Sequence, residues 1–96
     1  MINEDFILID SYAYTNEAEG IKKLYDPRPI IVPLGGISLI SEETINCYKV
    51  NSKGKHEWDT QLRRLTTMYF QDGWGIRTQF LPDSVEEVYK KIRGEI

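Results

Sequence analysis

A chain of 96 residues, 41% hydrophobic and 28% charged, has the size and composition of one globular domain over residues 1–96, which excludes a second domain and a disordered chain. The net charge of −3 argues against a strongly basic surface for nucleic acid. No apolar run approaches the ~20 residues of a transmembrane helix, and the N-terminus lacks the pattern of a signal peptide, so we expect a cytoplasmic protein without a membrane partner.

The first predicted element is a β-strand over residues 5–14, because the apolar run that begins at Phe6 passes into alternation. Residues 16–24 fit two structures. A helix capped by Thr15 places apolar residues on one face, whereas Gly20 in its middle is typical of a hairpin turn. The hairpin is the favoured interpretation.

Pro27 and Pro29 predict a boundary, since each proline fixes its own backbone angle and restricts the residue before it. The stretch that follows predicts a short strand at a sheet edge or a strand end. This short strand covers residues 29–33, and a turn follows at residues 34–37. Two further strands are predicted at residues 38–40 and 44–50, and a polar loop at residues 51–61.

Two alternating runs, residues 64–70 and 75–80, flank Asp72-Gly73 and form the strongest hairpin pattern in the chain. An amphipathic helix follows. Pro82 ends the strand, Asp83 or Ser84 serves as N-cap, and basic residues in the last turn oppose the negative end of the helix dipole. Apolar residues recur at helical spacing on one face: Val85, Val88, Tyr89 and Ile92.

The turn at residues 34–37, the run Thr66 to Gly73 and the helix Ser84 to Ile92 resemble the FlbD-like small proteins of flagellar and swarming motility, and similar short proteins of bacteria and phages. The resemblance covers chiefly residues 29–50 and 66–92. It implies an α+β fold: a small antiparallel β-sheet or half-open SH3-like barrel of about five strands, with the C-terminal amphipathic helix packed over one opening. It supplies no catalytic residue.

The residues needed for metal binding or catalysis are sparse. With one histidine and one cysteine we expect no metal site and no cofactor. Cys47 lies in a predicted apolar strand, where a thiol is usually an inert core residue, and His56 beside Glu57 and Asp59 is predicted to be solvated. We therefore predict a protein that is not an enzyme and has no catalytic residues.

Exposed tryptophan and arginine side chains dominate many binding surfaces because they offer large, rigid contact areas. Trp74 is predicted at the tip of a tight hairpin and Trp58 in the polar loop. If the two hairpins lie side by side, five residues form one contact patch: Trp58, Arg63, Arg64, Trp74 and Arg77. In the alternative, Trp74 folds back over the helix and Trp58 covers a sheet edge.

Two functional hypotheses follow. The first is a non-enzymatic, homo-oligomeric binding module, of the kind that phages and other mobile elements carry to bind a host protein or to sequester a small anionic ligand. The second is a nucleic-acid-binding protein that uses basic residues and a tryptophan of its hairpins. The acidic sequence pI of about 5.1 disfavours the second.

Overall fold

Five strands and one short helix make up the computed structural model, which describes residues 6–94 apart from the side chain of Asp72. The strands close into a barrel in chain order, so the fold is mostly β. The elements are β1 (Phe6–Asn16), β2 (Lys22–Pro33), β3 (Ile37–Val50), β4 (His56–Asp72), β5 (Gly75–Leu81) and α1 (Val85–Ile92), with 3-10 turns at Ala18–Gly20 and Leu34–Gly36.

The barrel is built from long antiparallel ladders that are joined at two narrow seams. β1 pairs with β2, and β4 pairs with both β3 and β5, all antiparallel. Between β1 and β5 the seam is the pair Tyr12 and Phe80, and between β2 and β3 it is the parallel bridge of Lys22 and Cys47. The predicted five-stranded barrel is confirmed, but it is closed rather than half-open. The α+β label overstates the helix, which has eight residues.

The predicted hairpin after β1 is confirmed, but the predicted boundary at Pro27 and Pro29 is wrong, because β2 runs through both prolines to Pro33. The three prolines of β2 are separated by even numbers of residues. In an antiparallel ladder, residues at such spacing direct their backbone N positions to the same side of the strand. The missing donors therefore all lie along one edge of β2. In the described residues, β2 meets β3 only at Lys22, which leaves that edge open to tolerate proline.

The hairpin of β3 and β4 is longer than predicted. Residues 38–50 belong to one strand, and residues 56–61 are strand rather than loop. Asn51 organises the turn, since its Oδ1 accepts hydrogen bonds from the backbone N–H groups of Lys53 (2.9 Å) and Lys55 (3.0 Å). Gly54 adopts a φ of 80°, a left-handed conformation that favours glycine.

Two hydrophobic clusters lie on opposite faces of the β3–β4 ladder. The register is unshifted from Leu39 to Tyr48, so Met68 and Leu65, an odd number of positions apart, face opposite sides. Met68 belongs to one cluster and Leu65 to the other. The first contains Ile7, Ile9, Val32, Ile40, Met68, Phe70, Leu81 and Val88, and the second contains Leu24, Cys47, Leu65 and Phe80.

Helix α1 packs against the first cluster through Val88, which is fully buried. Ser84 is the N-cap, and its hydroxyl accepts a hydrogen bond from the backbone N–H of Glu87 at 3.1 Å. Lys91 in the last turn reaches Asp83 at 2.8 Å. The capped amphipathic helix predicted from the sequence is thus present, and its apolar face completes the core.

Candidate functional site

The two tryptophans lie at opposite ends of β4. Trp58 is near the start of the strand and Trp74 is in the turn beyond its end, and their side chains are 94% and 90% exposed. The side-by-side hairpins on which a single contact patch depended are therefore wrong, because the hairpins share β4. The alternative is wrong as well, since these exposures leave neither indole packed over the helix or a sheet edge.

The three predicted arginines also separate. Arg63 and Arg64 are consecutive in β4 and point to opposite faces. Arg64 pairs with Glu42 at 2.6 Å, whereas the Arg63 guanidinium lies 5.5 Å from the ring centroid of Tyr12. Arg77, in β5 opposite Phe70, is at the same end of β4 as Trp74. The structure thus leaves Trp58 and Arg63 in one region, Trp74 and Arg77 in another, and Arg64 on the opposite face of β4 from Arg63.

A cleft of about 430 Å³, here called the distal cleft, lies where β1 and β2 meet the β3–β4 hairpin. Its lining combines three aromatic hydroxyls with two guanidinium groups, an imidazole and one carboxylate. The residues that supply them are Tyr12, Tyr25, Tyr48, Arg28, Arg63, His56 and Asp26.

A β-bulge shapes one wall of the distal cleft. In the β1–β2 ladder Tyr12 faces Pro27 and Tyr14 faces Leu24, so one residue of β1 is opposite two residues of β2. The two residues of β2 that form the bulge are Tyr25 and Asp26, and both line the cleft. A bulge re-aims side chains and increases local twist, and bulges are common beside functional sites. It is this irregularity that turns both residues toward the cleft.

Among the residues that the structure describes, the two arginines of the distal cleft have no carboxylate within ion-pair distance. Arg63 donates a hydrogen bond to the hydroxyl of Tyr12 at 3.4 Å and lies over its ring. Within residues 6–94, neither Arg63 nor Arg28 forms an ion pair, whereas Arg64 and Lys49 each meet an acid. The positive charge of this cleft is therefore available to a ligand.

His56 is held by the backbone. Its Nε2 lies 2.9 Å from the carbonyl oxygen of Leu24, and its ring packs edge-on to Tyr25 at a centroid distance of 5.0 Å. Because a carbonyl oxygen only accepts hydrogen bonds, Nε2 is the donor in this contact. The prediction of a solvated histidine is wrong, since the imidazole joins β4 to β2.

A second concavity of about 200 Å³, here called the tryptophan groove, adjoins the distal cleft. The two share Tyr48 and His56. The groove adds one indole, one ammonium group and two carboxylates, contributed by Trp58, Lys23, Glu17 and Glu57. The carboxylate of Glu17 accepts a hydrogen bond from the Thr15 hydroxyl at 2.7 Å. Sequence reasoning singled out Trp58 and Arg63 but missed the tyrosines and Arg28, for which no local pattern exists.

Cys47 is buried in the second hydrophobic cluster, as predicted. Burial raises the pKa of its thiol, and the charge of Arg63 offsets part of that rise. Across residues 6–94 no group of three or more His, Cys, Asp and Glu side chains is placed to hold a metal ion. In the same residues no helix has the length and apolarity to cross a membrane.

The chain matches no protein-family model, no curated protein and no solved structure. The resemblance to FlbD-like proteins therefore stays a prediction.

Proposed function

We propose that the protein is a non-enzymatic binding module whose distal cleft takes a small anionic ligand. The proposal is carried by one observation: the guanidinium groups of Arg28 and Arg63 line one cleft and form no ion pair within the described residues. The planar, permanently charged guanidinium suits the oxygen atoms of phosphate and carboxylate groups. The cleft volume of about 430 Å³ falls in the range of roughly 300–1,000 Å³ that is usual for small-molecule sites.

The tyrosine beneath Arg63 supports this function. A flexible arginine loses rotamer freedom when it binds an anion, and this loss weakens binding. The contact of Arg63 with the ring and hydroxyl of Tyr12 restrains the guanidinium before any ligand arrives. Preorganisation of this kind increases affinity because part of the ordering cost has already been met in the folded protein.

Two groups with catalytic potential are engaged in structural contacts, which favours binding over catalysis. His56 uses Nε2 to join two strands, and Cys47 is buried with a raised thiol pKa. A nucleophilic cysteine needs an exposed, electropositive setting that lowers the pKa instead. A role as an accessory protein of a phage or other mobile element, and homo-oligomerisation, stay predictions.

The basic residues offer less to nucleic acid than to a small anion. Lys49 pairs with Asp59 at 3.6 Å and Arg64 with Glu42 at 2.6 Å, so part of the basic charge is neutralised locally. Arg77 lies at the far end of β4 from Trp58. A strand of nucleic acid needs a continuous positive track, and these residues do not form one.

The test is calorimetric titration of inorganic pyrophosphate into the protein at low ionic strength. Wild-type protein should bind, Arg63→Gln should weaken binding by about tenfold, the effect of one charged hydrogen-bonded contact, and Arg64→Gln should match wild type. The two substitutions remove the same charge from neighbouring positions on opposite faces of β4. Equal losses would show that overall charge, rather than the distal cleft, attracts the anion. No binding by wild-type protein would overturn the proposal.

A further inference from the structure

We infer that the anion is the phosphate end of a purine nucleoside diphosphate or triphosphate, with its base stacked on Trp58 in the tryptophan groove. This inference rests on the proposed function, because the phosphates occupy the distal cleft. The two concavities are neighbours that share Tyr48 and His56, so one elongated molecule can lie in both.

Trp58 has the exposure that a stacking platform requires. Its indole is 94% exposed and still lines the groove, so a broad aromatic surface is open to a planar ligand. Tryptophan combines a large aromatic surface with a polar N–H group, and it is enriched at contact surfaces. Nucleobases stack on such side chains because every base has a flat π-face. A purine covers more of the indole than a pyrimidine does.

The charges along the two concavities orient the ligand. The distal cleft holds the guanidiniums of Arg28 and Arg63 and one carboxylate, that of Asp26. The groove holds the carboxylates of Glu17 and Glu57 and one ammonium group, that of Lys23. The cleft thus has an excess of one positive charge and the groove an excess of one negative charge, counting the histidine as neutral. Carboxylates repel phosphate but accept hydrogen bonds from the amino and ring N–H groups of a base. The phosphates therefore lie at the arginine end and the base at the acidic, aromatic end.

The spacing of the two ends favours a polyphosphate. Trp58 and Arg63 are five positions apart in β4, which corresponds to at most ~17 Å along an extended strand. The β3–β4 ladder shifts its register between Tyr48 and Val50, so β4 is not regular over this stretch. A base stacked on Trp58 and an anion held at Arg63 therefore call for an elongated ligand, which favours a nucleotide with more than one phosphate.

The experiment uses Trp58 as its own reporter. The chain contains two tryptophans, so the variant Trp74→Phe leaves Trp58 as the only one. GDP, ADP, UDP and pyrophosphate are titrated into this variant while tryptophan fluorescence and heat are recorded. GDP and ADP should quench the fluorescence and bind about tenfold more tightly than pyrophosphate, as stacking on an aromatic side chain adds affinity. UDP should bind less tightly than either purine nucleotide.

The variant Trp58→Leu separates the inference from the proposed function. In this variant GDP should bind only as tightly as pyrophosphate, and pyrophosphate binding should be unchanged. Because the Trp58 side chain is exposed, the melting temperature of the Trp58→Leu variant should stay near that of the wild-type protein. If pyrophosphate binds in an Arg63-dependent way but GDP binds no more tightly and does not quench, the nucleotide inference is overturned and the proposed function stands. If no phosphate compound binds, both are overturned.

Discussion

Arg63 lies over the ring of Tyr12, with its guanidinium carbon 5.5 Å from the ring centroid and one of its nitrogens 3.4 Å from the Tyr12 hydroxyl. The two residues belong to strands that are far apart in sequence and are not paired with each other. Their contact links the β1–β2 ladder to the β3–β4 hairpin across the distal cleft. The same contact restrains the arginine to which we assign anion binding.

Tyr12 acts on the ligand through its contact with Arg63. The aromatic ring and the hydroxyl of Tyr12 can be tested by separate substitutions. Tyr12→Phe keeps the ring and removes only the long hydrogen bond of 3.4 Å, and it should weaken pyrophosphate binding less than removal of the ring does. Tyr12→Leu removes the ring and should weaken binding by about two- to fivefold, the usual effect of an exposed cation–π contact. Titration calorimetry measures both, and a salt series should keep its slope because no charge is lost. A larger loss for Phe than for Leu would contradict the ring's role.

Gly36 permits a close approach to β4. A methyl group at Gly36 would overlap the carbonyl oxygen of Gln71, whereas a methyl group at Gly35 has open space around it. Both glycines lie in the turn Leu34–Gly36, so they form a matched pair. Gly36→Ala should lower the free energy of unfolding by about 1–3 kcal/mol, the usual cost of overpacking, and Gly35→Ala should leave it nearly unchanged. Urea denaturation measures both, and equal effects would show that the approach is not tight.

Val88 and Trp74 represent the buried and the exposed apolar side chains. Val88 is fully buried in the first cluster, so Val88→Asp places an unpaired carboxylate in the core and should unfold the barrel. Trp74 is 90% exposed, and Trp74→Ala should change stability by no more than about 0.5 kcal/mol. Thermal denaturation followed by circular dichroism separates the two. A loss of stability in Trp74→Ala as large as that in Val88→Asp would refute the exposed position of the indole.

The hydroxyl of Tyr69 donates to both carboxylate oxygens of Glu43, at 2.8 and 3.0 Å. This hydrogen bond raises the pKa of Tyr69 above its ordinary value of about 10, and desolvation and the Glu43 charge act in the same direction. The folded protein therefore retains the proton at pH values where the unfolded chain loses it. The stabilisation is fully present below about pH 10 and is lost as pH rises through the folded pKa.

Glu43→Gln should accordingly lower the pKa of Tyr69 and reduce the loss of stability in alkali. Nuclear magnetic resonance of labelled tyrosine rings follows each phenol separately, and Tyr69→Phe identifies which of the six signals belongs to Tyr69. An unchanged pKa in Glu43→Gln would show that Glu43 does not hold the proton. Urea denaturation at pH values on either side of 10 checks the linked change in stability.

The parts of the fold that sequence predicts well are those with local causes. Helix α1 follows from a hydroxyl at Ser84 that bonds a backbone N–H three residues later and from apolar residues at helical spacing. The hairpin around Asp72-Gly73 follows from alternation on both sides of a turn. Prediction failed at residues 56–61, where the β3–β4 hairpin carries mostly exposed side chains, so the strand has no buried face to impose alternation.

The amino-acid sequence by itself determined a small β-rich domain, its capped helix and its tight hairpin, because capping, turn chemistry and alternation act over a few neighbouring residues. Only the tertiary structure decided where a ligand can bind. The distal cleft exists because a bulge in β2, the long β3–β4 hairpin and the barrel closure bring Tyr12, Arg28, Tyr48 and Arg63 together. The same closure buries β4 on both faces at Leu65 to Met68, because each face packs against a different hydrophobic cluster.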